Sequence, residues 1–156
     1  MTTWRQFTAE APDLAAAVRS RFEATKHHVI ATLRADGSPR VSGTEVQFHR
    51  DDITAGSMHR SVKARDLQRD GRFALHANPG DGSMESGDAK LSGHAVEVVD
   101  PAELARYIDA IAPPEPFHLF RFELDEVVCT SLHPDGDRLV IEWWRPGRGV
   151  TRTERR

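Results

Sequence analysis

The sequence predicts a mainly β protein, an antiparallel barrel of six or seven strands with short helices at its ends. Three observations carry this. Several short segments alternate apolar and polar residues at period two. Turn signals separate them, notably Asp36-Gly37-Ser38-Pro39, Asp51-Asp52 and His133-Pro134-Asp135-Gly136-Asp137. Strands and helices do not alternate in the βα rhythm of a parallel sheet.

The elements follow in order. Residues 12–25 read as a helix: Pro12 suits its first position, and Leu14, Val18 and Phe22 fall on one face. His28 to Arg34 alternates, with Val29, Ala31 and Leu33 on one side. After the Asp36 turn, Arg40 to His49 reads as a second strand with Val41, Val46 and Phe48 as apolar positions. Val41 and Val46 differ in parity, so Gly43 marks either a bulge or a close backbone approach. Ile53-Thr54-Ala55 is a short third strand, followed by a basic helix.

Arg72 to Ala77 is a strand, residues 78–87 a loop, and Ala89 to Val99 a long strand with Gly93 as a candidate bulge. Asp100-Pro101-Ala102-Glu103 is a helix start, with Asp as N-cap and Pro at the first position. Leu104, Ile108 and Ile111 give that helix its apolar face, and Pro113-Pro114-Glu115-Pro116 ends it. Phe120, Phe122 and Leu124 alternate in a strand running on to Cys129, and Leu139 to Trp144 is the last strand. Residues 145–156 read as a basic tail with five arginines and one glutamate, packed on a dimer or disordered. There is no internal repeat, low-complexity tract or linker, so the 156 residues are expected to form one domain.

Composition narrows the function. A net charge of −3 argues against general nucleic-acid binding. No apolar run approaches the roughly 18 residues of a membrane span. The N-terminal residues show no signal-peptide core, and Cys129 is the only cysteine. Both fit a protein of the reducing cytoplasm.

The most informative stretch is Ser57-Met58-His59-Arg60-Ser61-Val62-Lys63-Ala64-Arg65-Asp66-Leu67. Ser61 stands where an N-cap belongs, and Lys63 and Arg65 follow at once. Cations in a first turn oppose the helix dipole, whereas free N–H groups there bind anions. A bound phosphate resolves the conflict; a solvated basic helix is the other reading. Other signals are weak. There is no G-x-S-x-G, P-loop, G-x-G-x-x-G or H-E-x-x-H. No two of the eight histidines have metal-ligand spacing on a helix, although His76 and His94 could meet across strands, and no metal is expected. Cys129 reads as a buried structural thiol.

A phosphate-type site without an evident acid, base or nucleophile suits a protein that leaves the chemistry to a cofactor. Here a resemblance enters. Three motifs, in order, resemble the FMN-binding split-barrel family of pyridoxamine 5'-phosphate oxidase-like proteins. They are Ala31-Thr32-Leu33-Arg34-Ala35-Asp36-Gly37-Ser38-Pro39-Arg40-Val41, then Ser61 to Leu67 with Arg69-Asp70-Gly71-Arg72-Phe73-Ala74-Leu75, then Lys90-Leu91-Ser92-Gly93-His94-Ala95-Val96. The Trp144-Arg145-Pro146-Gly147-Arg148-Gly149 ending looks like that of small actinobacterial members.

The resemblance implies a split β-barrel that binds FMN or the deazaflavin coenzyme F-420, usually as a homodimer with flavin sites shared between chains. It maps the strand lying against the flavin ring onto Val41, Ser42, Gly43 and Thr44, and the phosphate contacts onto Ser57, Ser61, Lys63 and Arg65. It implies hydride transfer to or from a small molecule, with no catalytic side chain assigned. Members that oxidise pyridoxamine phosphate carry Arg-Lys where Val62-Lys63 stands, and a basic residue near Glu45. Residues that grip pyridoxal phosphate are not recognisable. These departures point toward F-420-dependent relatives or FMN reductases. The long anionic tail of F-420 calls for extra cations, which His59 and Arg60 supply unless they face water. A non-catalytic binder of a flavin, haem-like or other planar anion is the alternative.

Overall fold

The computed structural model describes residues 2–156. Two short helices, α1 (Trp4–Glu10) and α2 (Pro12–Glu23), lead into strands β1 (His27–Leu33), β2 (Pro39–Glu45), β3 (Gln47–His49) and β4 (Asp52–Met58). Helix α3 (Val62–Arg69) precedes β5 (Arg72–His76) and β6 (Asp88–Glu97). Helix α4 (Pro101–Ile111) precedes β7 (Phe117–Leu132), β8 (Leu139–Arg145) and β9 (Gly149–Arg155). All strand pairs are antiparallel, in the order β2-β1-β5-β6-β7-β4-β3, with β8 and then β9 branching from β7.

The 16-residue β7 divides the sheet. Its first third pairs with β4, from Phe117↔Met58 to Arg121↔Thr54, and its last third with β8, from Val127↔Trp144 to Leu132↔Leu139. Phe120, Phe122, Leu124 and Val127 point into the main core, which also holds Ile30, Ile53, Leu75 and Leu91. Leu14, Val18 and Phe22 of α2 close that core as their spacing predicts. Helix α1 has no counterpart among the elements the sequence predicts. A Thr3/Gln6 capping box starts it, and it buries Trp4 and Phe7 against Phe48 and Trp144. Three apolar residues, Val98, Tyr107 and Leu119, form a second small core under α4.

Several expectations need correcting. On β1 the buried side chains are His28, Ile30 and Thr32, so Val29, Ala31 and Leu33 form the outer side. Arg40 to His49 is two strands broken at Val46, which accounts for the parity change from Val41. Gly43 is therefore no bulge: β1 and β2 pair without a slip from His27↔Glu45 to Leu33↔Pro39. Gly93 is one. The β6–β7 register shifts between Ser92 and Gly93, and a Cβ on Gly93 would lie 2.0 Å from the Glu123 carbonyl oxygen. His76 pairs with Lys90 and His94 with Arg72, so the two histidines do not meet. The basic tail is a strand: β9 pairs with β8 along its whole length, which with the separate β3 brings the strands to nine.

Candidate functional site

Helix α3 starts as its sequence predicts. Ser61 is the N-cap, and its Oγ accepts from the Ala64 N–H at 3.1 Å. The Ser57 and Ser61 hydroxyl oxygens lie 2.7 Å apart, one donating to the other. The N–H groups of Val62 and Lys63 have no acceptor within the helix. No acidic residue stands in the first turn. The Lys63 ammonium donates to the Gly43 carbonyl oxygen at 3.1 Å, and burial pushes its pKa below the ordinary lysine value.

A cavity of about 750 Å³ opens beside this corner. One wall is the β2 segment Ser42 to Glu45, and the β4–α3 turn closes the polar end with Ser57, Ser61 and Lys63. The facing wall is Ile111 to Pro114, Pro116 and Phe117 in the α4–β7 connection. A Cβ placed on Gly43 would meet nothing within 4 Å, so the space over β2 at this point is open. Lys26 and His27 lie on the cavity wall near Glu45, with Lys26 Nζ 3.6 Å from its carboxylate. At the back, the Tyr107 hydroxyl donates to Gln47 Oε1 at 3.0 Å. Burial raises the Tyr107 pKa to about 12, with the Glu45 charge adding to it, so its proton stays in place at neutral pH. A smaller space of about 110 Å³ lies behind Tyr107, lined by His49, Asp52, Arg106 and Arg121 among others. Burial pushes the Asp52 carboxyl above the usual carboxylate range, partly opposed by Arg121.

A flat group can lie along the β2 backbone with an anionic end in the serine-lysine corner. A family model described as pyridoxamine 5'-phosphate oxidase matches residues 14–130, most of the chain. The chain belongs to the pyridoxamine 5'-phosphate oxidase family. The match takes in β1 to β6, α3 and nearly all of β7, and so every polar group of the corner. No curated protein matches the chain.

Solved structures agree on the split-barrel fold of the pyridoxamine 5'-phosphate oxidase family. A pyridoxamine 5'-phosphate oxidase-related, FMN binding protein from Nostoc punctiforme is 14% identical with a TM-score of 0.66, over 94% of this chain and 96% of that one. PhzG from Burkholderia lata, solved with tetrahydrophenazine-1-carboxylic acid, is 19% identical with a TM-score of 0.59, over 95% and 90%. HutZ, the heme storage protein from Vibrio cholerae, is 18% identical with a TM-score of 0.56, over 72% and 90%.

In this member of the pyridoxamine 5'-phosphate oxidase family, six of the eight residues expected at a cofactor line one cavity: Ser42, Gly43, Thr44, Ser57, Ser61 and Lys63. Val41 and Arg65 do not. The Val41 side chain is 71% exposed on the outer side of β2, and Arg65 faces solvent. His59 and Arg60 are also exposed and off the cavity wall. Sequence reasoning missed Tyr107, Gln47 and the proline-rich wall. Tyr107 was hidden because the leucine and isoleucines of α4 drew the apolar stripe, and the prolines read only as a helix stop.

Two further clusters lie elsewhere. The Asp66 carboxylate, nearly fully buried, accepts from Arg40 Nε at 2.7 Å, Thr32 Oγ1 at 2.8 Å and Arg69 Nη2 at 2.7 Å. Burial acts to raise its pKa, but these bonds outweigh burial and hold it below the usual carboxylate value. His133, Asp135 and Asp137 bring ligand atoms within 4.8 Å of one another. Arg138 supplies the positive charge there, with Nη1 2.6 Å from Asp137 Oδ1 and Nη2 2.8 Å from His133 Nε2.

Proposed function

We propose that this protein is an oxidoreductase that binds FMN or coenzyme F-420 in the cavity between β2 and the α4–β7 connection. The observation that carries the proposal is the geometry of the polar corner. Two serine hydroxyls, two free helix N–H groups and one partly desolvated ammonium converge at one end of a wall with no side chain at Gly43. A phosphate fits the corner, since anions are favoured at a helix N-terminus and by a nearby ammonium. A ring fits the wall, because Gly43 lets it approach the backbone.

When bound, the cofactor supplies the hydride chemistry. The chain itself orients and encloses. Lys63 and the serines fix the anionic end, the β2 backbone sets the ring plane, and Ile111 to Phe117 keep water from the opposite face. The substrate is an unidentified small molecule, and no side chain is assigned proton transfer. A homodimer belongs to this reading. Met58 and Val62, 80% and 57% exposed, lie on the cavity rim, with Val41 outside it, and a second chain covering them completes the site. The chain is read as one domain, and its lone thiol suits the cytoplasm.

One observation favours a second reading, a non-catalytic holder of a flavin or haem-like planar anion. The apolar wall offers packing but no acid or base, and His27 is an imidazole on the opposite side. Fluorescence titration of cofactor-free protein with FMN, riboflavin, coenzyme F-420 and haemin separates the readings. Micromolar or tighter binding of FMN or F-420, with faster turnover of an electron acceptor than free flavin, supports the enzyme. Haemin binding alone supports the holder. Binding of none of the four removes both.

A further inference from the structure

We propose that His118 is a positioning residue for the turn that carries the anion-binding groups, and that Glu97 and Gln68 hold it in place. The inference rests on reading Ser57, Ser61 and Lys63 as a phosphate site.

The turn from Met58 to Ser61 must deliver Ser61 to the helix start while returning its hydroxyl to Ser57. It does so through Arg60, a non-glycine residue at φ +60°. That left-handed conformation is costly for an L side chain and persists only where surroundings enforce it. Within the turn the Ser61 N–H donates to the Met58 carbonyl oxygen at 3.1 Å, and the contact from outside it comes from β7. The Arg60 N–H donates to His118 Nε2 at 3.2 Å. His118 itself stands opposite Ser57 in the β4–β7 register. One side chain on β7 therefore faces both ends of the turn.

For Nε2 to accept, the imidazole proton must sit on Nδ1. Glu97 on β6 supplies its acceptor, with Oε1 2.8 Å from Nδ1. Gln68 of α3 donates to the second Glu97 oxygen at 3.0 Å. The His59 ring stacks on His118, centroids 5.2 Å apart and planes 18° from parallel. The contacts thus join β6, β7, the turn and α3 in one buckle. His59, Gln68, Glu97 and His118 all lie off the cavity wall, so the buckle acts only through the turn. Ser61 follows Arg60 directly, and a turn released at Arg60 loses the Ser57–Ser61 geometry while the ring wall on β2 stays intact.

The test compares ligands that differ only in the phosphate. FMN and riboflavin are titrated against the wild type, His118→Leu and His118→Gln, whose Oε1 can replace the Nε2 acceptor. For His118→Leu the expected result is about tenfold weaker FMN binding with riboflavin unchanged, as for the loss of one hydrogen bond. His118→Gln recovers most of the loss. Equal weakening of both ligands, or of neither, overturns the proposal. If His118→Leu does not fold, Glu97→Gln against Glu97→Ala gives the same comparison, with only the alanine variant losing FMN selectively. If the wild type binds neither ligand, the phosphate reading fails on its own, and amide exchange decides the buckle. About tenfold faster exchange at Arg60 in His118→Leu, with β6 amides unchanged, upholds it; an unchanged Arg60 rate overturns it.

Discussion

Arg40 on β2 donates through Nε to the buried carboxylate of Asp66 on α3 at 2.7 Å. This pair ties β2, the proposed ring wall, to α3, whose start is the proposed anion site. Thr32 and Arg69 complete the shell around Asp66, so α3 sits at a fixed distance and angle from β1 and β2.

Truncating Asp66 leaves Arg40 and Arg69 facing a small void without their acceptor. Asp66→Ala is expected to cost about 3–5 kcal/mol, as for one-sided loss of a buried ion pair. Asp66→Asn keeps the shape and is expected to cost less. Urea-denaturation midpoints for the two variants check both. Because the Asp66 value falls below 3.8 on folding, its contribution is full above that pH and is lost as the pH drops through the folded value.

His28 sets a second pH dependence. Its Nε2–H donates to the Phe22 carbonyl at 2.9 Å, and its Nδ1 accepts from the Asn78 N–H at 3.0 Å. Protonation would remove that acceptor. Burial pushes its pKa below 6.5, so the unfolded chain takes up this proton at a higher pH than the folded one. Stability is therefore full above pH 6.5 and declines as the pH falls from there toward the folded value. Urea midpoints between about pH 5 and 8 read the slope, and His28→Gln is expected to flatten it. A slope that survives the substitution assigns the effect elsewhere.

Lys63→Ala tests the anion corner. FMN affinity is expected to drop by about ten- to a hundredfold, the loss of one charge-assisted contact of about 1.5–3 kcal/mol. Riboflavin affinity is expected to stay the same. Burial lowers the Lys63 pKa, so in wild type FMN binding should weaken at a lower pH than an exposed lysine would dictate. Unchanged FMN affinity in the variant would take Lys63 out of the site.

Gly43→Val separates folding from binding. A Cβ at this position meets nothing, and valine favours a strand, so the melting temperature should not fall. The isopropyl group would occupy the space over the ring wall, and affinity for FMN and riboflavin alike should drop by at least about tenfold, taking a blocked contact as costing more than about 1.4 kcal/mol. Titration beside a thermal melt gives both readings.

Val41→Lys probes the dimer. The side chain is 71% exposed in one chain and lies off the cavity. A charge buried without a partner at a subunit interface is costly. The variant is expected to shift the mass measured by light scattering toward the monomer, whereas an unchanged mass removes this face from the interface.

Local chemistry was the legible part. The Ser61 cap, the Asp100-Pro101 start and the Asp36 turn each write their structure within a few residues, and each stands where the sequence places it. The glycine sign was ambiguous: Gly93 is a bulge as read, whereas Gly43, inside a strand by the same sign, is not. What failed depended on distant partners. Val29 and Ala31 form an apolar side of β1 that faces away from the core, because His28 and Thr32 find buried hydrogen-bond partners on Phe22, Asn78 and Asp66. No period-two reading of β1 alone can foresee that. Gln47 and Tyr107 meet from positions 60 apart, and neither sequence context announces the pair. The run of arginines after Trp144 reads as a tail because its strand pattern is polar on both sides.

That last strand bears on how the protein behaves in concentrated solution. β9 pairs with β8 alone, so its other side is an open sheet edge, the kind of surface that templates aggregation. Arg152 and Arg155 stand exposed along it, and the one acid, Glu154, is shared between Arg138 at 2.8 Å and Arg152 at 3.5 Å. Two molecules bringing these edges together would set guanidinium groups against each other. Like charge along an open edge opposes strand-to-strand pairing between copies of the chain.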